Sequence, residues 1–230
     1  MKPTDIKFNF EQSLATIDSI LHSGSVIPRL GSYSAEKLGG ARGAFIDATV
    51  MVVVFDVTGA EDGNVEDYAR VYDILLTQMY DLVACQPLLL YFDWDGERLR
   101  AVFNTTKKPH IDAMVDVAGR IISLTDVINY KIRKETGIKF KVRTAVDFGK
   151  VFAVPVGEQG SLMTGKIFSE TEHQLSQGTK NVILSNFIYK NMKDEYKSLF
   201  SPIGVFATEY EADIVNIGMN NWLKKQIGKL

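Results

Sequence analysis

Hydrophobic positions follow two rhythms along this chain, and the points where a rhythm breaks carry most of its polar chemistry. Residues 44–56 close on Met51-Val52-Val53-Val54-Phe55-Asp56. That run is apolar without alternation, which predicts a strand covered on both faces. Gly59-Ala60-Glu61-Asp62-Gly63 interrupts it, and a helix ending near Ala84 should follow. A second apolar run at residues 87–93 predicts another strand, joined to a third at residues 98–103 through Asp95-Gly96, a hairpin signal. Between 111 and 134, Ile111, Met114, Val115, Ala118, Ile121, Ile122, Val127, Ile128 and Ile132 recur at helical spacing and stop before Gly137.

Strands are expected next at 138–147 and 151–156, with Phe148-Gly149-Lys150 as a hairpin turn between them. A helix near 168–177, a strand at 181–184, a helix near 186–192, a strand near 203–210 and a terminal helix around 222–227 complete the reading. Upstream, Phe8, Phe10, Leu14, Ile17, Ile20 and Leu21 predict an amphipathic helix over 8–22. Gly24, Pro28, Gly31, Gly39, Gly40 and Gly43 then mark an irregular connection, with a soft boundary at 37–43. The expected organisation is an N-terminal helix and linker over 1–43, then a main domain over 44–230 that includes the C-terminal helix. Its element order is neither simple alternation nor a meander. The expected fold class is α+β, a mixed or antiparallel sheet covered by helices.

Both of the first two apolar runs end in carboxylate and glycine. A buried strand that delivers Asp56, and a second that delivers Asp93 or Asp95, would bring oxygen ligands together from separate strands. That chemistry suits Mg²⁺ or Mn²⁺, which keep positions open for the oxygens of a nucleoside triphosphate. Period-two alternation puts Tyr91, Asp93 and Asp95 on one nominal face, leaving the choice of second ligand open. Thr58-Gly59-Ala60 can approach phosphate, because glycine admits close backbone contact and the following helix starts with free N–H groups.

With 230 residues, 46% of them hydrophobic, the chain has enough apolar material for one well-cored domain. A formal charge of −2 argues against a broad nucleic-acid surface. Cys85 is alone, which excludes an intrachain disulfide framework and a Cys-rich zinc site. Met1-Lys2-Pro3-Thr4-Asp5-Ile6-Lys7 lacks the apolar core of a signal peptide, and no window approaches the roughly 20 apolar residues of a membrane span. A soluble, cytoplasmic protein is expected.

Across residues 44–210 the order of motifs resembles the class III nucleotidyl cyclases. Phe55-Asp56-Val57-Thr58-Gly59 is similar to the family's first metal strand and the turn after it. Tyr91-Phe92-Asp93-Trp94-Asp95 followed by Ala101-Val102-Phe103 is similar to its second metal hairpin. Ala145-Val146-Asp147-Phe148-Gly149-Lys150-Val151 is similar to its later hairpin. The pyrimidine cyclase branch of bacterial Pycsar anti-phage systems is a closer match, because it carries Tyr or Arg four residues before the second metal aspartate. Tyr91 and Asp95 have that spacing.

The resemblance implies cyclisation of UTP to cyclic UMP with release of pyrophosphate, and a product that signals to a separate effector. CTP is the next substrate, then a purine triphosphate; a degenerate cyclase-like dimer that binds nucleotide without turnover is the non-enzymatic alternative. The resemblance implies two Mn²⁺ or Mg²⁺ ions per site, with Asp56, the Val57 carbonyl and Asp95 as ligands. Phe55, Thr58, Gly59 and Tyr91 fall at its nucleotide-binding positions. Tyr91 is bulky enough to occupy space a purine would need, but its hydroxyl alone does not separate UTP from CTP. A head-to-tail homodimer with two equivalent shared sites follows from the same resemblance. One departure stands out: the family's late-helix Asn and Arg pair falls on Ser169 and His173, or Glu170 and Gln174 if shifted by one. Lys150, Lys166, Arg98 and Arg100 remain as sources of the missing positive charge.

Overall fold

A computed structural model describes residues 29–30, 43–59, 65–156 and 160–228. The expected helix at 8–22, most of the connection after it and the soft boundary at 37–42 lie outside these residues. The described elements are β1 (Arg29–Leu30), β2 (Ala44–Thr58), α1 (Val65–Ala84), β3 (Leu89–Asp95), β4 (Arg98–Phe103), α2 (Lys108–Thr136), β5 (Lys139–Val156), β6 (Gly160–Thr164), α3 (Lys166–Gln177), β7 (Val182–Ser185), α4 (Asn186–Asn191), α5 (Asp194–Lys197), β8 (Ser201–Ile203), β9 (Glu209–Ala212) and α6 (Ile217–Ile227).

One sheet runs in the order β3-β4-β2-β5-β7-β9-β8, with β1 added to β2 and β6 to β5. The β1–β2 and β5–β7 pairs are parallel and the others antiparallel, so the expected mixed α+β architecture is what forms. Val50, Val52 and Val53 of β2 are fully buried because the strand has neighbours on both edges and helices over both faces. On one face Phe55, Met51 and Phe103 pack with Leu75 and Met79 of α1 and Ile121 of α2. On the other, Val50, Val52 and Ala145 pack with Ile167 and Leu175 of α3. Each fully buried large side chain contributes about 1.5–3 kcal/mol, so this central strand anchors whatever its end presents.

Two local devices fix the strand ends. Gly137 caps α2 with a left-handed φ of 67°, where the chain turns directly into β5. Asn129 of α2 then clamps Phe140 of β5 from both sides, donating to its carbonyl at 2.7 Å and accepting from its N–H at 2.8 Å. Gly96, at φ 57°, is the first central residue of the two-residue loop between Asp95 and Arg98, and the Trp94 indole donates to its carbonyl at 2.6 Å.

Two expectations are corrected. The hairpin at Phe148-Gly149-Lys150 does not exist: those residues pair with Thr49, Ala48 and Asp47 inside one continuous 18-residue strand. Gly149 is there for a different reason, since a Cβ would lie 2.8 Å from the Ile167 side chain and hold α3 off the sheet. The strand expected over 203–210 is two short strands, β8 and β9, with a turn over 204–207. β6 and α5 were not anticipated. The helices over 65–84 and 108–136 stand where the periodicity placed them.

Candidate active site

Strand register, rather than sequence proximity, assembles the polar cluster at one end of β2. Val54 pairs with Arg98 on β4 and with Arg143 on β5, while Arg98 in turn pairs with Asp95 on β3. One step further along, Phe55 N–H donates to the Glu97 carbonyl at 2.9 Å. Asp56 therefore leaves the strand beside the β3–β4 turn, with Asp95 at the start of that turn. Directly opposed residues of antiparallel strands share a face, so Asp56, Val54, Arg98 and Asp95 project to the α3 side of the sheet. Lys141 opposes Asp56 and Lys139 opposes Thr58 on that same side.

Asp56 and Asp95 are both exposed, and neither accepts a side-chain hydrogen bond or ion pair among the described residues. Asp93 differs. Its Oδ1 accepts from Arg100 Nε at 2.9 Å, and its Oδ2 accepts from Arg100 Nη2 at 2.7 Å and from the Tyr91 hydroxyl at 3.0 Å. A carboxylate held on both oxygens by a guanidinium would have to break a bidentate pair to take a cation. No group of three His, Cys, Asp or Glu residues that could hold a metal occurs among the described residues. Two unpartnered carboxylates from separate strands nevertheless fit a hard cation that takes one or two protein oxygens and completes its shell with water and phosphate.

The remaining expected site residues fall as follows. The ring of Phe55 is fully buried on the opposite face, stacked on Trp94 at 5.1 Å, so only its backbone faces the cluster. Val57 also turns its side chain into the core under α1 and α2, leaving its carbonyl as the available donor. The Thr58 hydroxyl donates to the Lys139 carbonyl at 3.3 Å. Gly59 has φ 79°, and a Cβ there would meet the Gly137 carbonyl oxygen at 2.5 Å, so backbone geometry alone already requires glycine. Residues 60–64, the rest of the expected phosphate turn, lie outside the described residues. Where α1 begins, Glu66 and Asp67 occupy the first turn and complement its dipole themselves.

Tyr91 lines a cleft of about 340 Å³ between β3, β4 and α3, together with Asp93, Arg100, Met163 and Phe168. Its pKa is pushed up to about 12, first by burial and then by the hydrogen bond to Asp93, so the phenol stays neutral. Hydrogen bonding to Asp93 likewise raises Arg100 above its ordinary value.

Of the four cations left open by the sequence, Lys150 opposes Asp47, nine residues from Asp56 along β2 and thus about 30 Å away. Lys166 pairs with Glu170 at 2.6 Å, Arg98 with Glu172 at 3.0 Å and Arg100 with Asp93. Ser169 and His173 are exposed on α3. Directly opposite Asp56 stands Lys141, which has no ion-pair partner among the described residues; Arg143, whose Nη1 donates to the Leu175 carbonyl at 2.7 Å, opposes Val54 on β5 as Arg98 does on β4. Lys141 and Arg143 were both missed. The alternation Lys139-Phe140-Lys141-Val142-Arg143 was the available signal, a strand with one basic face. Lys139, Lys141 and Arg143 line a second cleft of about 480 Å³ that reaches Thr58.

No protein-family model matches the chain. It is 22% identical over 237 residues to a uridylate cyclase from Treponema porcinum, an alignment covering 96% of this chain and 82% of that protein. Among solved structures, a class III adenylyl cyclase-like ATP-binding protein from Pseudomonas aeruginosa superposes with a TM-score of 0.62 at 13% identity, over 93% of this chain and 49% of the other. The adenylyl cyclase CyaB from P. aeruginosa gives 0.58 at 13% identity, over 75% and 97%. The guanylyl cyclase Cya2 gives 0.57 at 15%, over 70% and 84%. The fold is that of the class III nucleotidyl cyclases, as the motif order implied.

Proposed function

We propose that the chain is a nucleotidyl cyclase that closes UTP to cyclic UMP and pyrophosphate. One arrangement carries this reading: Asp56 and Asp95 stand on one face at the ends of β2 and β3, the two strands that flank β4, without partners among the described residues, and Tyr91 lies four residues before Asp95 on that face. Similarity to a uridylate cyclase over nearly the whole chain supports it.

In the reaction the ribose 3′-hydroxyl gives up its proton to solvent, its oxygen forms a bond to the α-phosphorus, the bond from that phosphorus to the bridging oxygen breaks, and pyrophosphate departs. Asp56, the Val57 carbonyl and Asp95 would hold Mg²⁺ or Mn²⁺, two ions per site, which supply charge neutralisation of the triphosphate and acidify the attacking hydroxyl. Lys141, opposite Asp56, and Arg143, opposite Val54, would supply the positive charge that the leaving pyrophosphate needs. Tyr91, with Met163 and Phe168, forms an apolar wall against which a single-ring base packs. CTP is the second substrate this wall admits.

Because Asp56 and Asp95 are open to solvent in one chain, a second copy docked head to tail is what would exclude water from the reacting atoms. The catalytic unit in this reading is residues 44–230, preceded by the segment 1–43. No helix among the described residues is long and apolar enough to cross a membrane. The cytoplasm, a cyclic-nucleotide effector and a role in anti-phage defence complete the proposal.

Purified protein incubated with each of the four nucleoside triphosphates and Mn²⁺, followed by mass analysis, tests it. Cyclic UMP is the expected product, and selective cyclisation of ATP or GTP would defeat the pyrimidine assignment. A second reading has its own support: in either register, Ser169 and His173 or Glu170 and Gln174, the chain lacks the Asn and Arg pair of the resemblance, and one structural neighbour is an adenylyl cyclase-like ATP-binding protein. Tight triphosphate binding with no turnover would establish that regulatory reading instead.

A further inference from the structure

Of the two aspartates of β3, Asp93 is the one that the metal reading leaves without work, yet it is the best-connected polar group in the Tyr91 cleft. Its side chain is 28% exposed and that of Arg100 34%, so both reach the cleft surface. Three hydrogen bonds converge on its two oxygens, two from Arg100 and one from Tyr91. This geometry fixes the polarity of both neighbours. A tyrosine hydroxyl has one hydrogen, and Asp93 takes it. The phenolic oxygen can then only accept from anything else in the cleft. Arg100 spends Nε–H and one Nη2–H on Asp93 and retains three N–H groups, all donors.

We propose that Asp93 is a positioning residue that sets base selectivity, holding Tyr91 as an acceptor and Arg100 as a donor so that the cleft reads an N–H beside a carbonyl. This inference rests on the cyclase reading and deepens it. Uracil presents that pattern at N3–H and O4. Cytosine presents the reverse at the same two positions, an unprotonated N3 and an N4 amino group. The matched pair therefore accepts uracil, whereas cytosine would leave the Arg100 donor facing another donor and the Tyr91 acceptor facing another acceptor. Packing against Phe168 and Met163 supplies the size limit, and Asp93 supplies the order of donor and acceptor. The neutral phenol that this requires agrees with the raised pKa of Tyr91.

The test compares wild type with Asp93→Asn and Arg100→Lys, in turnover of UTP against CTP and, independently, in equilibrium binding of the α,β-methylene analogues of UTP and CTP. In Asp93→Asn the new amide can donate to the Tyr91 oxygen and release its hydrogen into the cleft, and it cannot hold the guanidinium fork. The expected result is a fall of about tenfold or more in the UTP-to-CTP preference, in kcat/KM and in analogue affinity alike, with Arg100→Lys moving the ratio the same way. A purely structural role would lower both substrates equally. Equal loss in folded Asp93→Asn protein, no change in the ratio, or failure of wild type to bind either pyrimidine analogue would overturn the inference. Binding with the expected change in preference but no cyclisation by wild type would remove the proposed activity and leave the role of Asp93 standing. Cyclisation of UTP with a preference that Asp93→Asn does not alter would do the opposite.

Discussion

Asp56 and Lys141 stand directly opposite each other across the β2–β5 pair and project from the same face. Opposed side chains in an antiparallel pair have Cβ atoms about 5 Å apart, yet these two form no ion pair within 4.0 Å. Each is left able to meet a ligand of its own kind, a cation for Asp56 and a phosphate for Lys141. Replacing Lys141 by Ala should raise KM for the triphosphate by about tenfold with a smaller change in kcat, and should flatten the dependence of KM on salt. Steady-state kinetics at several ionic strengths would check both.

Asp56→Ala and Asp95→Ala should each lower cyclase activity by about 100-fold or more. Since both side chains are exposed and unpartnered among the described residues, their removal should change unfolding free energy by less than about 0.5 kcal/mol. Denaturant titration beside the activity assay separates the two effects. Asp93→Ala, which strands the Arg100 fork, should cost more stability than either.

If sites are shared between two copies, mixing Asp56→Ala with Tyr91→Ala should recover part of the activity that neither has alone. One site in each mixed dimer would then carry both intact residues. Verified mixed dimers without recovery would show that a single chain supplies the whole site.

Gly59→Ala should destabilise the fold by about 2 kcal/mol, because the left-handed backbone and the 2.5 Å approach to the Gly137 carbonyl both oppose a methyl group. Thermal unfolding measures this. Any activity loss in that variant reports on the fold unless it exceeds the loss of folded protein.

Burial first, and then the hydrogen bond to Asp93, push the Tyr91 phenol up from the ordinary 10.0 to about 12. Its folded value is the higher one, so the contribution of the neutral phenol is complete below about pH 10 and is lost only as pH rises through about 12. A difference titration at the phenolate absorption band between wild type and Tyr91→Phe should show no ionisation at this position near pH 10. The alkaline limb of any pH–rate profile should therefore belong to another group.

The parts of the fold legible in the sequence were those in which burial imposes a period. The uninterrupted run ending at Phe55 predicted a buried strand, the stripe from Ile111 to Ile132, closed by Gly137, predicted a helix, and both form. Glycine was misread where its role is tertiary: Gly149 admits the Ile167 side chain from another element, which no local pattern shows. The β8–β9 turn hid in an apolar stretch, because Val205 and Phe206 are 95% and 91% exposed where the hydrophobic run suggested a strand. For the site, alternation put Tyr91, Asp93 and Asp95 on one face but could not say which carboxylate already had a partner. That distinction resides in the Arg100 side chain, seven residues further along and on another strand. For Lys141 and Arg143 the sequence offered only a strand with one basic face; the pairing register is what sets them opposite Asp56 and Val54.

The central position of β2 also bears on how the protein is made. The strand that carries Asp56 is synthesised before β4 and β5, the two strands that line most of its edges. Until they arrive, an apolar segment waits with most of both edges bare, since β1 covers only Phe45 and Ile46, and bare edges are the condition under which nascent chains associate wrongly. Assembly of this molecule is thus a late event, and slow or interrupted synthesis should harm its yield more than that of a protein whose strands pair in the order they emerge.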